Sequence, residues 1–310
     1  MARKLLWASL VLAPVTIVVD YAFHAGDVAL FVLAAASLVP LAWLIGEATE
    51  HASEHTGPGI GGFLNASFGN APELIIALVA IGNNLPNVVR ASLMGSVVSN
   101  LLLVFGLAMV LSGDARVDRR SLSSQLALVA LAVLAFLVPS VPGFHGDPDR
   151  HSLAILSIPV AIALLAVYIT MTTLNLRRHR AAERNEADER AWGLGQSIFA
   201  LAAATVVTAF ISEILVHSLQ GFARVANLSE FFIAAVIVAI VGNAAEHGGA
   251  IIVAHRGKIA LASEIALSSA AQVAVFLIPA VALLSWLIEP LSLSFRPVEI
   301  GALAGGVAFA

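Results

Sequence analysis

The chain has 310 residues, 59% of them hydrophobic and 12% charged, with a net charge of −4 and a mean hydropathy of +0.94. A soluble domain carries about a quarter charged residues, so this composition cannot be hidden in one globular core, and lipid has to be the solvent. The charge is spread over loops, which argues neither for nucleic acid nor for a polyanion partner. The lack of cysteine excludes disulfides, thiolate metal sites and cysteine nucleophiles together.

A bilayer core takes about 20 apolar residues per helix. Such stretches lie near 5–23, 28–49, 61–82, 91–111, 122–142, 152–176, 194–219, 229–254, 260–288 and, shorter, 298–310. The first leads into Asp20 and Tyr21 without a small-residue cleavage site, which makes it a membrane helix and not a signal peptide. The last stops at Ala310 while still apolar, so an eleventh helix is expected after it. Twelve basic residues fall on one side of this arrangement: Arg3, Lys4, Arg116, Arg119, Arg120, Arg177, Arg178, Arg180, Arg184, Arg190, Arg256 and Lys258. Arg90, Arg150, Arg224 and Arg296 fall on the other. The positive-inside rule then places the N-terminus in the cytoplasm. The short N-terminal segment suits a prokaryotic inner membrane.

The one long polar stretch, RRHRAAERNEADER from Arg177 to Arg190, divides the chain. The expected organisation is a leading transmembrane helix (1–26), a first half (27–176, helices 2–6), a cytoplasmic linker (177–193) and a second half (194–310, helices 7–10, truncated). Halves so arranged enter the membrane from opposite sides. The fold class expected is an all-α polytopic membrane protein, with an inverted-topology repeat of two five-helix halves behind a leading helix, as in secondary transporters.

Self-comparison supports the division. GNAPELIIALVAIGNNLPNVVRASLMGSVVSN starts at Gly69 and GNAAEHGGAIIVAHRGKIALASEIALSSAAQV at Gly242, so corresponding residues lie 173 apart without a gap. The register pairs Asn70 with Asn243, Glu73 with Glu246, Ser96 with Ser269 and Ser99 with Gln272. The matches fall on polar residues that are expensive in lipid. A carboxylate at the bilayer centre costs about 2.5–3.5 kcal/mol on insertion scales. One such glutamate is as readily a snorkelling or hydrogen-bonded helix-end residue as a functional one, but two at matched positions of a repeat point to function.

Helical spacing gathers partners around them. Asn70 with Glu73, and Asn243 with Glu246, are three apart and share a face. On the following helices Ser96, Ser99 and Asn100 share one face, and Ser269 and Gln272 another. Together they offer carboxylate, amide and hydroxyl oxygens, a set suited to hard divalent cations such as Ca²⁺, Mn²⁺ or Mg²⁺. Each Ser, Asn or Gln taken singly is more simply an interhelical hydrogen-bonding residue. Gly69 and Gly242 mark places where a helix can break and free carbonyls toward a cavity; close helix packing at small residues is the plainer reading.

Glu50 and Glu213, each ahead of one repeat, read either as proton or ion pathway residues or as interfacial helix caps. His247, beside Glu246, reads as a pH-tuned partner of that carboxylate or as a single hydrogen-bond donor to a neighbouring helix. His51 and His55 in EHASEH have a spacing that can hold zinc, but a third ligand is missing and the HExxH order is not met.

At these residues the chain resembles the calcium/proton exchangers (CAX) of the cation/calcium exchanger superfamily. The resemblance rests on GEATEHASEHTGPGIGGFLNASFGNAPELI from Gly46 to Ile75, on GSVVSNLLLVFGL and SEILVHS, and on GNAAEH and SSAAQVAVFLIP. It implies one leading helix followed by two inverted five-helix halves. It also implies Glu73 and Glu246 as paired cation ligands, with Ser96, Ser99, Asn100, Ser269 and Gln272 lining the site and Glu50 and Glu213 at its access routes. The 177–190 linker would match a segment that is acidic in relatives; here five Arg face Glu183, Glu186, Asp188 and Glu189, which speaks against calcium sensing. Ser268 stands where the family usually has Gly.

The expected activity is secondary-active antiport of Ca²⁺, or another divalent such as Mn²⁺, against protons by alternating access, with both glutamates shared between cation and protons. Ca²⁺ is then cargo, H⁺ the counter-substrate, the lipid bilayer the surroundings, and no cofactor is required; a homo-oligomer is compatible with the sequence. The alternatives weighed are a sodium-coupled exchanger on the same scaffold, an intramembrane metalloenzyme using His51 and His55, and a passive channel, the last disfavoured because paired carboxylates hold divalents too tightly for fast passage.

Overall fold

A computed structural model describes residues 2–112, 119–179 and 192–310. Most of the linker expected at 177–193 lies outside the described residues, as does Arg116. The described residues are mostly helical, without strands. In chain order the elements are α1 (Lys4–Phe23, interrupted after Ser9), α2 (Asp27–Phe68), α3 (Ala71–Gly82), α4 (Pro86–Leu111), α5 (Arg119–Gly143) and α6 (His151–His179). After the linker come α7 (Leu194–Ala226), α8 (Glu230–Gly242), α9 (Ala244–His255), α10 (Ile259–Leu287) and α11 (Pro297–Phe309).

Among the described residues seven helices are long and apolar enough to cross a bilayer. Counting α8 with α9, which meet at 66°, makes eight. Large apolar side chains face outward where lipid would lie, for example Ile155, Ile162 and Ile169 at seven-residue spacing on α6 and Phe199, Val206 and Phe210 on α7. This is an integral, multi-pass membrane protein. The ten apolar stretches read from the sequence correspond to these elements in order.

Three boundaries differ; one is the stretch 229–254, read as one helix and broken at Asn243 into α8 and α9. The sequence suggests separate helices ending near 49 and starting near 61, whereas the helical backbone continues from Asp27 to Phe68. It is not straight: a Cβ added at Gly61 would lie 2.6 Å from the Ser53 carbonyl oxygen, and eight residues of straight helix would hold them about 12 Å apart. The backbone is therefore not straight between Ser53 and Gly61. The stretch 61–82, read as one helix, is broken in two at Gly69 and Asn70.

The repeat is visible in the backbone. Asn70 precedes α3 with φ −97° and ψ 16°, and Asn243 precedes α9 with φ −89° and ψ 12°. The turn ending α3 carries Asn84 at φ 58°, and the turn ending α9 carries Gly257 at φ 76°, again at corresponding positions. In both halves the next helix then widens into a short π-helical stretch, Ser99–Val104 within α4 and Val273–Leu277 within α10. Such stretches insert one residue into a helix, re-aim the side chains around them, and are frequent at functional sites.

Candidate cation site

The site forms where the two breaks meet. At 12 residues each, α3 and α9 are about 18 Å long, roughly half of an apolar core of about 30 Å. Each is too short to cross alone, and Glu73 and Glu246 stand in their first turns, at the breaks. Breaking a helix leaves the last carbonyls of the incoming segment and the first N–H groups of the outgoing one without helical partners. The positive end of each short helix favours a negative charge in its first turn.

Each break is held by the opposite half. Asn70 donates through Nδ2 to Gln272 Oε1 of α10 at 3.2 Å. Asn243 donates through Nδ2 to Ser96 Oγ of α4 at 2.8 Å and accepts at Oδ1 from Asn100 Nδ2 at 3.2 Å. Asn70, Asn243, Ser96 and Asn100 are all at most 1% exposed. Ser96 comes this close because α4 and α8 touch backbone to backbone: a Cβ on Gly95 would collide with the carbonyl of Ala235.

The carboxylates sit inside this frame. Glu73 is 6% exposed and its side chain rests on the backbone of Gly242, in the other half. Glu246 is half-buried and accepts a short hydrogen bond from the Ser269 hydroxyl on α10. Gly242 lies four residues before Glu246, so the Glu73 side chain rests on the backbone of the break that carries the second acid. Glu73 Oε2 and Asn100 Oδ1 are buried oxygens with no hydrogen-bond partner in the protein, which is what an oxygen-seeking cation would use.

Not every residue singled out in the sequence joins the group. The half-buried Ser99 spends its hydroxyl on the Ser96 carbonyl of its own helix at 3.2 Å. His247 is 5% exposed and neither ring nitrogen has a hydrogen-bond partner in the protein. Glu50 is exposed on α2. Glu213, also exposed, is bonded to Asn83 Nδ2 at 3.4 Å and lies 3.3 Å from His217 Nδ1, which puts it at the far end of α3 from Glu73.

The zinc reading of EHASEH is not supported. His55 Nε2 is tied to the Trp192 carbonyl at 2.7 Å, and the His51 ring lies against the Trp192 ring with centroids 4.9 Å apart. Among the described residues no three His, Asp or Glu side chains are grouped to hold a metal. A further polar cluster gave no motif in the sequence. Arg90, 1% exposed, is paired with Asp149 and donates to Asn87 at 2.9 Å, and Asn87 also accepts from Arg296 at 2.9 Å.

The family model described as sodium/calcium exchanger protein matches residues 27–177 and 196–310, leaving out little more than α1 and the linker. The chain belongs to that family. A Ca(2+)/H(+) antiporter, ChaA, of Bacillus subtilis is 39% identical over 281 residues, covering 86% of this chain and 79% of that protein. The Ca(2+)/H(+) antiporter of Aphanothece halophytica is 35% identical over 312 residues, covering 93% and 83%. The solved structure of native YfkE superposes with a TM-score of 0.82 at 34% identity, covering 99% of this chain and 90% of that one. These relatives place the chain among the calcium/proton exchangers of the family, which are transporters and not enzymes.

Proposed function

We propose that this chain exchanges Ca²⁺ for protons by alternating access at a site made by Glu73 and Glu246. The observation that carries the reading is the interlock of the two breaks, which brings one acid from each half, Glu73 buried and Glu246 half-buried, beside unpartnered amide and carboxylate oxygens. Ionised, the pair cancels the charge of one divalent cation; protonated, it is neutral and cannot hold one. Empty and ionised, it places two like charges in a low-dielectric site, which discourages return without cargo and so couples the two fluxes. Asn70, Asn100, Asn243, Ser96, Ser269 and Gln272 frame the site and supply neutral oxygens, Ser99 stands at its edge, and Glu50 and Glu213 mark its two approaches.

The loop charges support an N-terminus facing the cytoplasm, in a prokaryotic plasma membrane, with 27–176 and 194–310 as the two inverted halves. The family description also covers sodium-coupled exchange, which is the competing reading. Reconstituted vesicles given either a pH gradient or a sodium gradient separate the two. Proton-driven uptake of radiolabelled Ca²⁺, lost in Glu73→Gln and in Glu246→Gln, supports the proposal. Uptake driven by sodium alone, or unchanged in both variants, contradicts it.

A further inference from the structure

Two contacts fix how α3 and α7 lie together. Near the start of α3, Ala71 clusters with Leu201 and Ala204 of α7 and with Ile45 and Ala48 of α2. At its end, Asn83 reaches Glu213 of α7. Thr208 and Ser212, one helical turn apart on α7, lie between these two points, so they occupy the stretch that separates the level of Glu73 from that of Glu213.

Both are fully buried, at 0% exposure, and neither hydroxyl has a hydrogen-bond partner in the protein. Their neighbours in the fold behave differently. Thr16, Ser37, Thr49, Ser140, Ser157 and Ser218 are also buried, and each donates to the carbonyl four residues earlier at 2.6–2.8 Å. That bond is open to any Ser or Thr on a helix, and leaving a buried hydroxyl without it is costly. Beyond Glu213 the protein opens into a cavity of about 530 Å³ lined by Asp20, Tyr21, Asp27, Glu213, His217 and Ser218, among others. Glu213 and His217 are exposed to it, at 48% and 63% of their side-chain surface.

We infer that Thr208 and Ser212 line the proton and water route from this acidic vestibule to Glu73. The inference rests on the proposed antiport and adds two residues that touch neither cation nor carboxylate in that reading. A proton entering at the vestibule is handed along water held by the two hydroxyls: each accepts a hydrogen bond from one side and donates its own to the other. The proton arrives on the Glu73 carboxylate, and no side chain along the way changes its net charge. Acid and hydroxyl groups set into one apolar seam are the usual material of such relays in membrane proteins.

The native chain has no cysteine, so the test reads single introduced thiols. Thr208→Cys and Ser212→Cys, reconstituted in vesicles, are treated with a small membrane-impermeant methanethiosulfonate. Modification of both from one side of the membrane, with loss of proton-driven Ca²⁺ uptake, is expected; thiols inert from either side overturn the inference. In parallel, the Thr208→Val/Ser212→Ala double variant is expected to slow uptake by at least about tenfold while leaving the Ca²⁺ dissociation constant at high pH within about twofold. Thr208→Ser keeps a hydroxyl and is expected to hold near-native uptake. Native-like uptake by the double variant overturns the route while wild-type uptake still stands; absence of proton-driven uptake in the wild type overturns the antiport itself.

Discussion

Gly242 has no room for a side chain because Glu73 occupies the space: a Cβ there would stand 2.9 Å from Glu73 Cγ and 3.5 Å from its carboxyl carbon. The glycine of one half thus sets the position of the acid of the other. Gly242→Ala should leave the fold intact and displace the carboxylate. Because a shift near 1 Å in a pre-organised site costs on the order of a hundredfold, the variant is expected to weaken Ca²⁺ binding by about ten- to a hundredfold in calorimetry, with an unchanged elution volume in size exclusion.

Proton competition fixes the sign of the pH dependence. Each carboxylate that must lose a proton to bind Ca²⁺ raises affinity as pH rises, by about tenfold per pH unit for each proton displaced. Across the titration of the pair, Ca²⁺ affinity should therefore climb with pH at a slope of up to two protons. In Glu246→Gln that slope should fall to one or less. Binding that is flat with pH, or that strengthens in acid, would exclude a shared site.

Arg90 is buried in a crowded ionic corner between the start of α4, the 144–150 loop and α11, with Asp149, Asn87 and the buried Glu299 around it. Asp149 is 33% exposed, so removing it leaves the buried Arg90 without its ion partner at a cost below the ~3–5 kcal/mol of a fully buried pair. Asp149→Ala should accordingly lower the melting temperature in detergent, while Glu289→Ala, at an exposed carboxylate outside this cluster, should barely move it.

The extended segment before α11 draws its backbone partners from serines. Phe295 donates its N–H to Ser140 Oγ at 2.9 Å and Leu293 donates to Ser157 Oγ at 2.8 Å. Non-helical backbone is tolerated at membrane depth where the protein satisfies it. Ser140→Ala or Ser157→Ala orphans one buried N–H and should cost about 1–3 kcal/mol, read as a melting shift without loss of Ca²⁺ binding per folded molecule.

Much of the site was legible because costly residues recur. Gly-Asn-Ala-x-Glu at two places in an apolar chain marks both breaks, and Pro72, with no N–H to satisfy in a first helical turn, strengthens one of them. The π-helical stretches were not legible: SNLLLV and VAVFL read as ordinary helix, since whether a helix takes in one extra residue depends on what packs against it. Residues 50–60 read as a gap between helices, which misses the helical backbone that runs from Asp27 to Phe68. The role of EHASEH was hidden for a different reason. Its histidines are engaged by Trp192, 137 residues from His55, and only the folded chain brings them together. The positions of Glu50 and Glu213 outside the central group are likewise a product of packing, because helical periodicity does not say how far along a neighbouring helix a residue lies.

The most direct test is proton release on Ca²⁺ addition to the purified protein in weakly buffered detergent solution, with no membrane and no gradient. With Glu73 and Glu246 shared between cation and protons, Ca²⁺ should expel protons from the wild type, and the Glu73→Gln/Glu246→Gln double variant should neither bind Ca²⁺ nor release any. Release from the double variant equal to that of the wild type would contradict the account.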